Sequence, residues 1–539
     1  MLDFTRLPLA VSSFETLRRD KLIYIDKTAL IEKLLGTYRT VFLSRPRRFG
    51  KSLLVSTFAS LFEHGLRDFR GLAIEKSWKD KQYPVVQLDF SLVSDASDIV
   101  TFQARFNRLL RDAFATIGFA CDLSKEDDFY AALRDFFRVR QANSQPFVLL
   151  IDEYDSPLTH NINNEPFFDE IRIYMSGFFS VLKAYPGALR FLFITGITKY
   201  RQVSVFSLLN NLTDISLDPE YGELLGYTRS EIEQYFPEFL ENALVQFNTV
   251  RAQKNECLCT KESFMQEMVA NYDGFSFDEQ AKTHVFAPWS VLNFLSAPQN
   301  GFKNYWIGSG GVSAWLSQWI QANGTIDPAQ FDEPVELDAS QLEATSVPSD
   351  VPPEALLFQT GYLSIRQAIS STLTLGYPNK EVSSSMAKLY FNLFVKNTHF
   401  ASADIYQPFK NGDISGVIER FNAVFLSVPY DRYPLVSEAA VRGVVLSYVM
   451  GAGLDVRAET HNANGRSDLE VFINDKHWIF EFKFVEKDVD APRELKRALE
   501  QIKVQCYGEG HKQGTLIRIG IVFSLERRQV VAYQELSSV

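Results

Sequence analysis

The sequence predicts an α/β protein with two separate sites of chemistry. One is a parallel sheet that carries a phosphate-binding loop and a helical subdomain; the other is a smaller α/β unit near the C-terminus. Three observations predict it. Val41–Leu54 reads as strand, loop, Gly50-Lys51-Ser52 and helix, where backbone N–H groups and a helix N-terminus can cradle phosphate. Apolar strand-like runs at Val85–Phe90, Pro146–Asp152 and Leu189–Gly196 alternate with helical periodicity, as a parallel α/β sheet requires. Far downstream, Asp468 and then Glu481-x-Lys483 fall on adjacent strands that can converge at one point.

Composition bounds these readings. A chain of 539 residues, 46% hydrophobic and 14% aromatic, has enough apolar material for more than one packed domain. Phenylalanine is unusually common at 45 residues, which the sequence does not explain. A net charge of −11 excludes a molecule that is basic throughout, so a nucleic-acid surface has to be a local patch. Cys121, Cys257, Cys259 and Cys506 lack zinc-pair spacing and read as reduced thiols. No signal-peptide pattern and no apolar run of membrane-spanning length is present. A cytoplasmic protein with no membrane partner is expected, and its oligomeric state stays open.

In chain order, Phe14–Arg18 and Ala29–Leu35 read as short helices, the second capped by Asp26 or Thr28. This N-terminal segment is placed to close over a nucleotide base. In the phosphate loop, Lys51 would reach the β/γ-phosphates and the Ser52 hydroxyl would ligate Mg²⁺. Arg45 stands where the pattern G-x-x-x-x-G-K-[ST] has glycine. The strand ending at Asp152-Glu153 puts two acids at the carboxyl end of a sheet, where open α/β folds bind ligands. Asp152 would hold Mg²⁺ through water, and Glu153 would act as general base on the attacking water. Thr195 or Thr198, after the third strand, would sense the γ-phosphate, and Arg201, Arg229 or Arg251 would supply charge to it. Residues 210–300 read as mostly helical, with a capping box at Thr228–Glu231. The boundaries are then 1–215 for the sheet domain, 216–320 for a helical lid, 321–400 for a linker and small connecting unit, and 401–539 for the last domain.

In that last domain Pro434–Val449 reads as a helix bearing Glu438, and Asp468 opens a strand. A turn at Asn474-Asp475 leads to the strand carrying Glu481 and Lys483. Two carboxylates there would bind Mg²⁺, with Glu438 completing the shell. Lys483 would orient or help deprotonate a water and stabilise developing charge. A solvated Glu/Lys ladder on an ordinary hairpin is the plainer alternative, but Phe480, Phe482 and Phe484 fill the other face. The helix Arg493–Tyr507 offers Lys496, Arg497, Gln501 and Lys503 to a nucleic-acid backbone. Residues 491–539 hold eight Lys/Arg against five Asp/Glu, a local net charge of +3 in an acidic chain. A final strand spans Ile517–Phe523.

Over nearly its whole length the chain resembles two-part bacterial and archaeal proteins. Their N-terminal part is an AAA-ATPase-like P-loop NTPase domain, and their C-terminal part is a restriction-endonuclease-like domain of the PD-(D/E)XK superfamily. The residues that carry the resemblance are Phe14-Glu-x-Leu-Arg18, Tyr24-x-Asp-Lys-Thr28, Ser44-Arg-Pro-Arg-Arg-Phe-Gly-Lys-Ser52, Phe69-x-Gly-Leu-Ala-Ile74, Ile151-Asp-Glu-Tyr-Asp155 and Thr195-Gly-Ile-Thr-Lys199. Further on they are Phe358-Gln-Thr-Gly-Tyr362, Gly376-Tyr-Pro-Asn379, Gly465-Arg-x-Asp468, Glu481-Phe-Lys483 and Gln501. The resemblance includes arginine at position 45. It implies ATP held by Arg45, Arg47, Arg48, Phe49, Gly50, Lys51, Ser52, Asp152 and Thr195. It also implies a Mg²⁺-dependent nuclease centre of Asp468, Glu481 and Lys483, with Gln501 in support. The expected function is an ATP-controlled nuclease cutting DNA, in defence or mobile-element biology; the rival is a nucleotide-switched binding or signalling protein that does not cut.

Overall fold

The computed structural model describes residues 2–122, 128–200, 209, 211–253, 257–308, 334–342, 352–395, 402–431, 433–462, 465–507 and 514–536. Two compact units divide the chain: Met1–Trp315 with Val335–Asn379, and Leu316–Pro334 with Lys380–Val539. The expected connecting unit at 321–400 is therefore split between the two. No helix among the described residues is long and apolar enough to cross a membrane. All four cysteines are free thiols.

The first unit is built on a five-stranded parallel sheet in the order β2-β3-β4-β1-β5. The strands are β1 (Thr40–Ser44), β2 (Val85–Asp89), β3 (Phe147–Asp152), β4 (Leu189–Gly196) and β5 (Thr213–Asp214). β3 and β4 are continuous apolar runs with hardly an exposed residue, as strands covered on both faces must be. β4 lies between the loop strand β1 and the acid strand β3, and all five strands point their carboxyl ends the same way. The loop after β1, Asp89 and Asp152 therefore share one edge, with Asp89 in register with Asp152. β5 escaped the sequence reading because two residues carry no periodicity.

The wealth of phenylalanine has a use in this layer. Phe90, Phe106, Phe114, Phe137, Phe147 and Phe178 form one buried cluster under the sheet. Their rings meet edge to face, as in Phe90–Phe106 at 5.0 Å and Phe114–Phe137 at 5.5 Å between centroids. Such pairs add about 0.5–1.5 kcal/mol each beyond the area they bury.

The helical subdomain contains Arg229–Tyr235, Pro237–Gln253, Lys261–Tyr272 and Pro288–Ser296. The expected capping box forms: Thr228 caps the Glu231 N–H and Glu231 reaches back to the Thr228 N–H. Ile23 and Ile25 from the N-terminal segment are buried in its core beside Phe236 and Met268. A three-stranded antiparallel sheet, β6 (Val335–Asp338), β7 (Ser364–Ile369) and β8 (Thr372–Gly376), completes the first unit in the order β6-β8-β7.

The second unit is a mixed sheet in the order β13-β12-β11-β10-β9. Its strands are β9 (Asp455–Asn462), β10 (Gly465–Ile473), β11 (Lys476–Val485), β12 (Thr515–Ser524) and β13 (Gln529–Glu535). β9, β10 and β11 are antiparallel neighbours, whereas β11 and β12 run parallel. A parallel pair needs a crossover. The helix Ala491–Val504 supplies it, passing so close over β12 that a Cβ at Gly520 would lie 3.1 Å from that of Ala498. On the opposite face Phe480 packs against Phe409 and Phe421. Two sequence readings shift here. The helix expected from Pro434 starts at Glu438, because Ser437 is its N-cap and accepts from Ala440 N–H. Asp468 sits within β10 and does not open it.

Candidate functional sites

The phosphate loop leaves β1 at Ser44 and re-enters regular structure at Lys51, the first residue of the helix Lys51–His64. Gly50 caps that helix at φ +102°, a conformation a side chain would strain, so the glycine is required by the turn. Arg48, at φ +67°, is also in the left-handed region without being glycine, as is Glu153 at φ +51°. Backbone strain of this kind persists where neighbours hold it and gathers at functional sites.

Loop and acids face a cleft of about 560 Å³ lined by Arg47, Arg48, Gly50, Lys51, Ser52, Asp152 and Glu153. Pro8, Val11 and Ser12 form part of its wall. Trp289 and Trp306 line it from the helical side. Beside it lies an apolar pocket that includes Ile25, Leu53, Leu225 and Tyr227 and shares Gly50 with the cleft.

Lys51, Ser52 and Asp152, at the centre of the cleft, each have a protein partner. Lys51 Nζ donates to the carbonyls of Arg45 (2.9 Å) and Pro46 (3.1 Å). Burial holds its ammonium below the usual lysine range, and Glu153, Asp152 and Asp155 pull it partly back. Ser52 Oγ donates to Asp152 Oδ2 at 2.7 Å, and the Glu153 N–H to Asp152 Oδ1 at 2.9 Å. Burial pushes the Asp152 carboxyl up. The Ser52 hydroxyl and Asp152 carboxylate lie side by side as two hard oxygen donors, which suits Mg²⁺, an ion that takes few protein ligands and completes its shell with water and phosphate.

Several expected nucleotide contacts are not on this cleft. The Arg45 guanidinium turns away from it, buried against the carbonyls of Ser44, Ser216 and Tyr221. The Phe49 ring packs on Phe275 and Phe277, at 4.9 and 5.2 Å. Thr195 Oγ1 donates to the Leu43 carbonyl at 2.7 Å, so the hydroxyl serves the sheet. Thr198 is fully buried, and its N–H donates to Asp155. Arg229 is bound to Glu233 and Glu262, and Arg251 lies over Phe247. Arg201 lies outside the described residues. The arginines that do face the cleft are Arg47 and Arg48, the latter stacked 4.3 Å over Trp289.

Residues from several other segments brace this loop and its neighbours. Asp155 accepts from the N–H groups of Ile197 and Thr198, tying Ile151–Asp155 to Thr195–Lys199; burial raises its carboxyl to about 6. Gln359 accepts from the Lys199 N–H, and a Cβ on Gly361 would strike Pro46 at 2.8 Å. Trp306 Nε1 donates to the Arg47 carbonyl at 2.9 Å. Asp26 accepts from Ala73 N–H and Thr28 accepts from Ile74 N–H, joining two further segments.

In the second unit the β10–β11 ladder runs up to Leu469–Phe480, so Asp468 and Glu481 are the next residues along the two strands, and their charges bear on each other. Asp468 Oδ2 accepts the Phe482 N–H at 2.7 Å, and its Oδ1 is 3.7 Å from Arg442 Nη1. Lys483 Nζ donates to Glu481 Oε1 (2.8 Å) and to the Phe482 carbonyl (2.8 Å), and lies 3.5 Å from Glu438. Glu481 is fully buried and its Oε2 has no hydrogen-bond partner. Burial first, then the Asp468 charge, pushes its carboxyl up to about 8. Burial also raises Glu438. Burial works against the Lys483 ammonium, but Glu481, Glu438 and Asp468 hold it above the usual lysine range.

An orphaned buried carboxylate oxygen near a second carboxylate is the environment a hard cation relieves. Asp468, Glu481 and the Phe482 carbonyl would supply oxygen ligands. Glu438 is drawn to Lys483, and among the described residues no three His, Cys, Asp or Glu side chains gather as a ready metal cage. Gln501 Nε2 lies 3.4 Å from the Tyr507 hydroxyl, beside the site and off the carboxylates. Arg442 and Tyr507 were missed by the sequence reading. Arg442 sits one helical turn beyond Glu438, a spacing that could have found it.

Comparison with known proteins agrees with this division. Residues 8–206 match a family model described as predicted AAA-ATPase, and residues 436–533 match the PD-(D/E)XK nuclease superfamily. An uncharacterised protein encoded in the vnfD 5′ region of Azotobacter chroococcum mcd 1 is 30% identical over 548 residues, covering 98% of each chain.

Proposed function

We propose a function on the premise that this chain belongs to the predicted AAA-ATPase family, with a C-terminal domain of the PD-(D/E)XK nuclease superfamily. The chain binds ATP in the cleft at Lys51 and cleaves DNA phosphodiesters in a Mg²⁺-dependent centre at Asp468, Glu481 and Lys483, with nucleotide occupancy controlling cleavage. The observation that carries the nuclease reading is Glu481: a buried carboxylate with an unpartnered oxygen, close enough to Asp468 to feel its charge and bonded to Lys483.

At the first site the helix N-terminus at Gly50–Ser52 receives the phosphates. Lys51 exchanges its two carbonyl acceptors for phosphate oxygen, and Arg47 and Arg48 add charge at the rim. Glu153, at the carboxyl end of β3, orients and deprotonates the attacking water. The apolar pocket beside Gly50 excludes water from the base. At the second site Asp468 and Glu481 hold Mg²⁺. When bound, Mg²⁺ would offset the phosphate charge and lower the pKa of a water, making hydroxide available as the nucleophile. Lys483 stays protonated and stabilises the charge that builds on the phosphate oxygens. Arg442 and the Phe482 N–H keep Asp468 in position.

The test is plasmid cleavage in Mg²⁺, with and without ATP, comparing the wild-type protein with Lys483→Ala. Nicking or linearisation by the wild type alone is expected. Equal cleavage by Lys483→Ala would overturn the nuclease assignment. A nucleotide-switched protein that binds without cutting is the second reading. It draws support from the net charge of −11 and from the tie between Glu438 and Lys483. Nucleic-acid binding without cleavage in any divalent ion would favour it.

A further inference from the structure

We infer that Arg45 is a positioning residue that fixes the two carbonyls on which Lys51 rests, and so sets where the lysine stands before phosphate arrives. The inference rests on reading the loop as a nucleotide site. It gives Arg45 a role without nucleotide contact, in place of the phosphate contact expected from its position.

Arg45 is 1% exposed and makes no ion pair among the described residues, although the Asp214 charge is near enough to favour its cation. Its charge is met by dipoles. Nη1 donates to the carbonyls of Ser44 (2.9 Å) and Ser216 (2.6 Å), Nη2 donates to that of Tyr221 (3.2 Å), and the guanidinium lies 4.3 Å over the Phe277 ring. Burial pushes it down to about 9. Burying a cation in this way is costly, so the arrangement has to return something. What it fixes is residue 45 itself. The Arg45 N–H donates to the Gly196 carbonyl at 3.1 Å, extending the β1–β4 ladder by one residue. Main chain and side chain are thereby pinned to β4 and to the segment after β5. The Arg45 carbonyl is left facing Lys51 Nζ, with the Pro46 carbonyl next to it.

A planar guanidinium can serve three carbonyls in fixed directions while stacking on a ring; a lysine at 45 has a single nitrogen and keeps only part of this set. Glycine, at the same position of the general phosphate-loop pattern, would leave the carbonyl free to turn.

The test measures Lys51 directly and needs no nucleotide. The acylation of Lys51 at one fixed pH is followed by mass spectrometry in wild type, Arg45→Met, Arg45→Lys and Phe277→Leu. Rates are normalised to Lys27, a second buried lysine that is paired with Glu231. Carbonyls that are free to turn no longer hold the lysine in its two bonds, so Arg45→Met should release it and raise the relative rate about tenfold, the scale of one lost charged hydrogen bond. Arg45→Lys should fall between the two and Phe277→Leu nearer wild type. A merely structural role would speed both lysines together. Should Arg45→Met fail to fold, Arg45→Lys and Phe277→Leu carry the comparison. Wild-type Lys51/Lys27 ratios in the folded variants would overturn the inference. ATP binding measured in parallel separates the two readings. Normal binding with unchanged ratios removes only the role of Arg45; altered ratios without ATP binding uphold that role and remove the nucleotide reading.

Discussion

The two sites handle buried charge in opposite ways. In the cleft of the first unit Lys51, Ser52, Asp152 and the Glu153 N–H satisfy one another or nearby carbonyls. An incoming nucleotide there replaces existing bonds. In the second unit Glu481 keeps an oxygen with no partner and holds its proton to about pH 8. An incoming cation there meets a need the fold leaves open. The first arrangement suits a switch, because empty and filled states are both satisfied. The second suits a catalytic centre that is completed only when loaded.

Mutations can break this contrast, the largest effect coming first. Lys483→Ala removes the cation between Glu481 and Glu438 and should cut cleavage by about 10²–10³-fold in a plasmid assay, the scale of losing one preorganised charge-stabilising group. Lys51→Ala should weaken ATP binding by about a hundredfold by equilibrium titration, as expected when one partner of a buried charge contact is deleted.

Glu481 gives a pH-dependent test. Its carboxyl rises from an ordinary 4.5 to about 8, so the folded state binds the proton more tightly than the unfolded chain. The resulting stability is complete below about pH 4.5 and is lost as pH rises through 8. With metal chelated, the melting temperature should fall between pH 6 and pH 9 in wild type and stay flatter in Glu481→Gln. About 2–4 °C accompanies each kcal/mol in a domain of this size. A smaller effect is expected at the cleft rim. Trp289→Ala removes the stack under Arg48 and should weaken nucleotide binding by about threefold to tenfold, the range of a partly shielded cation–π contact.

Much of this was legible in the sequence because single residues dictated it. Gly50 is needed for its φ, and Asp152 lies at a strand end where parallel sheets present their ligands, although Asp89 beside it was not singled out. Glu481 and Lys483 share a face through the two-residue period of a strand. The direction of individual side chains was not legible. Arg45, Phe49 and Thr195 lie in or beside the right motifs, yet their side chains serve the scaffold. Motif spacing fixes a backbone position and says nothing of which way a rotamer leaves it. Trp289 and Trp306 come from the helical subdomain and carry no local signal for a phosphate site. β13 was missed because its outer residues alternate weakly at a sheet edge.

The contrast between a satisfied site and an open one is tested most directly by titrating Mg²⁺ into nucleotide-free protein by calorimetry. Wild type and Glu481→Gln would be compared at pH 7 and pH 9 in buffers of different ionisation heat. Wild type should bind Mg²⁺ with release of a proton at pH 7, bind more tightly at pH 9, and lose this binding in Glu481→Gln. Identical Mg²⁺ binding by the two proteins at both pH values, with no proton released, would contradict it.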